Sequence, residues 1–543
     1  MPNEVETARR RRRGAARRRR YSLPVYRGRF RPAQAERLLW RAGFGPRPGE
    51  ADRLAKKGLD GAVRSLTRPG PEKLRGPAPV DQQGRALAPT DAYGHDQLWW
   101  LDKMVRTSRP LVERMTLVWH DWFATSNDEV GSARLMIGQN NLFRRRALGS
   151  FAKLLIDVTR DPAMLIWLSG SGSTKEAPNE NYGRELMELF TLGLNRGYSE
   201  RDVREQARAL TGFTHDWDDN IGPVRFRFEP ELHDGGAKRI FGKRGRFGWR
   251  DSCRLCLEHK SHPSFFVRKL WSYFVPIPPP PRTERALARL YVESSYKVRP
   301  VVEAILRHPA LYEGPRMVKP PIVFIAGMLR ALGRGIDSDG WGWLANLSGQ
   351  QLFYPPDVGG WDDERWLDTA TWRGRWQAAV WASRERILDP NKHVANPAET
   401  PAAAVERALA FWGNPLISGA TRSTLERFAT RCRDGANRQR KQQTYPLLCQ
   451  NALRMMIVTS PDFQTCYRRT DVPPLLQRLL AHRAPAAGGC RCRSQVPRPR
   501  PAHAAAGGVR PRPAQLSGSV GRGGAVCLWR HPAEPGSFRG GGR

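Results

Sequence analysis

The sequence predicts a mainly α protein, a multi-helix globular core with a minor β element and disordered basic tails. Three observations carry this. Apolar residues recur at helical spacing through most of residues 33–482, helix-start signals precede many of those segments, and the most extreme charge sits at the two ends. With 40% hydrophobic residues and eighteen tryptophans, 543 residues can bury a large core. No run of about eighteen uncharged apolar residues appears that could cross a bilayer.

The net charge of +38 suggests a nucleic-acid partner until it is located. Residues 1–32 carry twelve Arg against Glu4 and Glu6, and residues 483–543 carry eleven Arg against Glu534, so +18 remains for residues 33–482. Residues 1–32 read as a disordered Arg-rich arm, in which nine of the twelve residues 9–20 are Arg, and as a salt-sensitive, sequence-independent contact for nucleic acid. No apolar stretch of about 7–15 residues follows it as in a secretory signal, so the cytoplasm is the default expectation. Eight scattered Cys do not form a secreted disulfide framework. Residues 483–543 contain no Ile, Lys, Asp, Asn, Thr, Tyr or Met. This composition fits either a disordered tail or an out-of-frame translation of a GC-rich gene.

Along the chain, 34–41 and 50–57 read as short helices around GFGPRPG, and 98–123 reads as long helical segments interrupted near Pro110. SERDVREQARALTG opens with Ser199 and places Asp202 three residues on, a capping-box pattern. VRFRFEP at 224–230 is the clearest strand. The proline cluster at 275–281 divides a first helical part, 33–275, from a second, 282–482, which holds the loop GQQLFYPPDVGGWDDERW.

APNENYGRELMELFTLG, 177–193, sets two asparagines, three glutamates and an arginine among tyrosine, leucine and phenylalanine. On a regular helix Tyr182, Leu186 and Leu189 lie within about 60° of one another, with Met187 and Phe190 extending that arc. Asn181, Glu185 and Glu188 share a separate arc. Pro178 suits the first turn and Gly193 the stop. Two carboxylates at i and i+3 repel unless a metal, a cation or a shared proton relieves them. Arg184, four residues before Glu188, is the local cation.

Other constellations are weaker. Cys253, Cys256, His259 and His262 carry zinc-ligand chemistry, but one unbroken helix would spread them over half its circumference, and a turn near Lys260 would be needed to gather them. DWDDN at 216–220 starts like a calcium loop, yet Ile221 and Arg227 stand where Gly and a bidentate Glu belong. GSGST at 170–174 lacks the Lys-Ser/Thr ending of a phosphate loop. Gly359, Gly360 and Trp361 form a candidate binding edge, since an aromatic anchor beside exposed backbone suits recognition.

GSTKEAPNENYGRELMELFTLGL, followed by GYSERDVREQARALTGF, closely resembles the signature of the large bacterial family called domain of unknown function 1800. ERLLWRAGFGP, RMTLVWHDWF, HDGGAKRIFG, FFVRKLWSYF, KPPIVFIAGMLRALG, GQQLFYPPDVGGW and TSPDFQ extend the likeness from about Pro32 to Tyr467. The resemblance implies that Asn179, Glu180, Asn181, Arg184, Glu185, Glu188, the Trp119–His120 pair and the His233–Asp234 pair belong to a shared motif. It implies no activity, because the family has none established. Trp122 stands where the family often has a second His, and Phe190 where it usually reads Leu-His-Thr-Leu-Gly.

Three functional readings follow. In an enzyme, Glu185 or Glu188 serves as base or ligand, His120 and His233 as ligands or proton carriers, and Arg184 as an orienting cation, with a divalent metal as the cofactor such groups would hold. Asn179, Asn181 and Asp234 would line that pocket. In a noncatalytic scaffold the same residues tie helices together, and the Trp361 loop faces a protein partner. Trp122 and Phe190 remove two imidazoles and favour the scaffold. The third reading is nucleic-acid binding by the arm.

Overall fold

Proline and short polar side chains set the helix starts. Pro32, Pro110, Pro162, Pro281, Pro309, Pro321, Pro401 and Pro461 occupy first turns, where a missing N–H leaves no bond unmade. Ser132, Ser150, Asp161, Ser199, Thr400 and Ser418 accept from N–H groups of the turns they precede. The expected capping box of Ser199 and Asp202 forms.

The computed structural model describes residues 23–466; the arginines of 9–20 and the whole of 483–543 lie outside the described residues. Among the described residues there are 23 α-helices and three two-stranded antiparallel sheets, so the chain is mainly α with minor β. No helix there is long and apolar enough to cross a membrane. Within the segment read as a disordered arm, the Tyr26 N–H donates to the Arg307 carbonyl, and Tyr26 and Phe30 pack on the Tyr312 ring.

The strand expected at 224–230 is Gly222–Phe228, paired with Phe213–Asp218. DWDDN is the end of that hairpin's first strand and its turn. Arg225 and Arg227 both bind the Asp216 carboxylate at 2.7 Å, which gives Asp216 arginine partners in place of a calcium ion.

Two large apolar clusters form the core. The first draws on Ala35 through Tyr312 and the second on Trp40 through Cys466, so both take residues from either side of the proline cluster at 275–281. The Pro110–Trp122 helix is buried over most of its length and joins them: Val118, Trp119 and Trp122 enter the first, Leu117 the second. Each buried tryptophan removes about 150–250 Å² from water, worth roughly 4–6 kcal/mol before ordering entropy. A helix fixed on two sides in this way is a rigid base for a site.

Candidate functional site

The motif helix starts at Glu180, two residues later than its proline suggests. Asn179 is the cap, its side-chain oxygen accepting from the Asn181 N–H at 2.9 Å, while Pro178 lies outside. The α-helix Glu180–Glu185 then widens into a π-helix, Leu186–Thr191. Tyr182, Leu186, Met187 and Phe190 of the apolar arc are buried, while its Leu189 is half-buried; Glu185 and Glu188 are also half-buried and Asn181 is exposed. At Gly183 a side chain would press on the Ala207 nitrogen and the Val203 carbonyl of the Glu200–Ala209 helix, so glycine permits the two helices to approach.

Arg184 gathers the carboxylates. It reaches Glu180 and Glu188 at 3.3 Å and Glu200 through two bonds of 2.7 and 3.0 Å. These bonds, those to Glu200 foremost, raise the Arg184 guanidinium pKa. Burial, then the charge of Glu188, raises the Glu185 carboxyl, and Arg184 opposes them. The Tyr182 hydroxyl donates to Thr159 Oγ1 at 2.8 Å, tying the motif to the Phe151–Thr159 helix.

The last three carbonyls of this helix, left without intrahelical partners, each take a side-chain donor. Lys269 Nζ donates to Leu189 at 3.0 Å, and Trp122 Nε1 to Phe190 at 3.1 Å. His262 Nδ1 lies 2.9 Å from the Thr191 carbonyl, which requires the proton on Nδ1 and leaves Nε2 to accept from the Tyr291 hydroxyl at 3.0 Å. Trp122 and Phe190, the two departures from the family pattern, are therefore bonded to each other.

The imidazoles are placed separately. His120 is fully buried within rings of Trp100, Phe353, Phe143 and Trp361, and neither ring nitrogen has a hydrogen-bond partner among the described residues. Burial lowers its pKa to about 3, so it is neutral. His233 lies at the end of a short helical turn, its Nδ1 3.0 Å from the Thr211 carbonyl, and Asp234 binds Arg208 Nε at 2.6 Å. Among the described residues no hydrogen bond or ion pair joins His120 or His233 to Asn179, Asn181, Glu185 or Glu188. No group of three or more His, Cys, Asp or Glu there could hold a metal.

The Cys/His run is broken between Trp249–Glu258 and His262–Ser272, where an unbroken helix was expected. Its four side chains still part: Cys253 meets Thr159, Cys256 accepts from Gln206, His259 meets the Gly197 carbonyl, and His262 is engaged as above. Burial pushes the Cys253 thiol up to about 12, which keeps it protonated.

Polar groups converge instead in a cavity of about 190 Å³ between the Pro110–Trp122 and His262–Ser272 helices, edged by the Trp361 loop. A single water needs only about 10–15 Å³ of such space. Arg114 and Asp121, seven residues apart on one helix face, stand at its wall with Lys269, Tyr273 and Trp361. Asp121 is held by the Tyr273 hydroxyl at 2.6 Å and by the Trp361 N–H at 3.0 Å. Burial raises its carboxyl pKa against those bonds. Gly360 has φ +99°, and a side chain there would strike the Asp121 carboxylate and carbonyl. The loop closes on the helix through this glycine.

A family model described as "Protein of unknown function (DUF1800)" matches residues 37–465. The chain belongs to this family. No curated protein and no solved structure matches it. The DUF1800 match spans both the motif helix and the cavity, and the motif helix supplies the carbonyl that holds Lys269.

Of the residues singled out in the DUF1800 sequence, Trp361 alone lines the cavity; Asn179, Asn181, Arg184, Glu185, Glu188, His120, His233 and Asp234 do not. Arg114, Asp121, Lys269 and Tyr273 went unnoticed. Their signal was present: Arg and Asp seven apart in the mainly apolar RMTLVWHDWF, and Lys and Tyr four apart in FFVRKLWSYF.

Proposed function

We propose that this DUF1800 protein is a noncatalytic helical scaffold or interaction protein. Its motif helix fixes its neighbours, and it meets other molecules at the cavity beside the Trp361 loop. The supporting observation is the use of the motif's polar groups: Arg184 engages Glu180, Glu188 and Glu200, and the terminal carbonyls engage Lys269, Trp122 and His262. The bonds to Glu180 and Glu188 stay within the motif helix, whereas those to Glu200, Lys269, Trp122 and His262 join it to three other helices. The test is an Arg184→Met, Glu188→Gln double variant, examined by urea unfolding and by elemental analysis for bound metal. A lowered midpoint with unchanged metal content is expected. Unchanged stability together with loss of a stoichiometric metal would overturn the scaffold.

A second, separate proposal concerns the arginines of residues 9–20, whose charge density supports sequence-independent nucleic-acid binding. Deleting residues 1–22 should abolish such binding, and retained affinity would exclude the arm.

A further inference from the structure

We propose that the cavity between the Pro110–Trp122 and His262–Ser272 helices binds a small organic monoanion, a carboxylate carrying an apolar or aromatic body. This rests on reading the Trp361 loop as a binding edge, and it names the ligand class.

The first observation is Arg114. The largest fully buried arginines in the chain all have acceptors: Arg37 donates to the Gly314 carbonyl, Arg41 to Pro315, Arg330 to Gly45 and Val105, and Arg375 to Trp366 and Lys319. Arg114 is only 3% exposed, yet among the described residues its Nε and Nη1 have no hydrogen-bond partner, and no ion pair joins it to a carboxylate. A buried guanidinium without acceptors is costly, and its flat fork matches a carboxylate through two parallel bonds. It faces a cavity wide enough to admit one.

The second observation is the charge inventory. Lys269 Nζ has one protein acceptor, the Leu189 carbonyl, and lies 4.8 Å from the Trp122 ring centroid. Asp121 is committed to Tyr273 and Trp361 and forms no ion pair with either cation. Asp363, also at the cavity, is exposed to solvent. The enclosed groups are therefore two cations and one carboxylate, and one further negative charge balances them. A dianion would leave charge uncompensated in a poorly solvated space.

The third is the wall. Leu117, Val118, Met317 and Trp361 supply apolar surface, and Trp366 adds an indole N–H that is buried without a partner. Mostly apolar walls with a few fixed polar groups are the usual make-up of a small-molecule site.

The probe is 4-fluorobenzoate, followed by ligand-observed ¹⁹F NMR on the full chain, with uncharged 4-fluorobenzamide and dianionic 4-fluorophenyl phosphate as comparisons. The expected result is saturable binding of the benzoate, at least tenfold tighter than either comparison. Arg114→Met should weaken it at least tenfold while leaving the urea midpoint equal or higher, because an unpaired buried charge is removed. Lys269→Gln, measured alongside, should also weaken binding and keeps the test open should Arg114→Met fail to fold. Absence of saturable benzoate binding, equal binding of the amide, or tighter binding of the phosphate ester would overturn the proposal. None of these results depends on the unfolding data that test the scaffold.

Discussion

Replacing His120 with Leu should barely change stability near neutral pH and should strengthen the protein in acid. The ring is fully buried among Trp100, Phe143, Phe353 and Trp361 with both nitrogens unpartnered. Leucine loses several ring contacts, each worth about 0.5–1.5 kcal/mol, and removes buried polar atoms whose desolvation costs about 1–3 kcal/mol, so the two effects largely offset. The acid effect has a definite sign. The folded pKa, about 3, lies below the ordinary 6.5. The unfolded chain therefore binds the proton first, and stability falls as pH drops from about 6.5 towards about 3. At about 1.36 kcal/mol per unit, the wild type loses on the order of 3 kcal/mol by pH 4.5 that His120→Leu retains. His262 and His308, whose pKa values burial lowers to about 4, titrate equally in both proteins and drop out of the difference. The assay is the urea midpoint of both proteins at pH 7.5, 5.5 and 4.5. A gap that stays constant with pH, or a loss above about 3 kcal/mol at pH 7.5, would show that a nitrogen of His120 has an essential partner.

Gly360→Ala should cost about 1–3 kcal/mol from its left-handed backbone alone, and more from the collision with Asp121, read as a lowered unfolding midpoint; an unchanged midpoint would mean that the loop does not press on the helix. Tyr182→Phe removes the bond to Thr159 and should cost about 1 kcal/mol in urea unfolding. Benzoate binding should weaken as pH rises through about 8, the value to which burial lowers Lys269. Of the other groups at the cavity, Arg114, lowered to about 10, and Tyr273, raised well above its ordinary value, keep their protons there, while burial pushes the Asp121 carboxyl upward against its bonds from Tyr273 and Trp361. A titration flat between pH 7 and 9 would remove Lys269 from the site.

What the sequence revealed was local. Helix starts at Pro110 and Ser199 were readable because a missing N–H and a side-chain cap act within one turn. The widening at Leu186–Thr191 was not, since an angular wheel assumes regular spacing throughout. His120 drew notice as a polar residue in an apolar run, but its surroundings come from Trp100, Phe353 and Trp361, remote in sequence. Helical spacing around Arg114 and Lys269 does not by itself tell an enclosed cation from one on the solvated edge of an amphipathic helix. Only the packing of one helix against another and of a glycine-closed loop over both encloses them. Trp361 was legible because Gly-Gly-Trp marks close backbone approach wherever it packs.

The central claim is that ligand chemistry resides at the Arg114–Lys269 cavity and not along the motif helix. A crystal soaked in 4-bromobenzoate, with the bromine located by its anomalous signal, tests this directly. A peak between Arg114 and Trp361 is expected, with the carboxylate on the guanidinium. A peak beside Glu185 and Glu188, or an empty cavity at saturating probe, would contradict it.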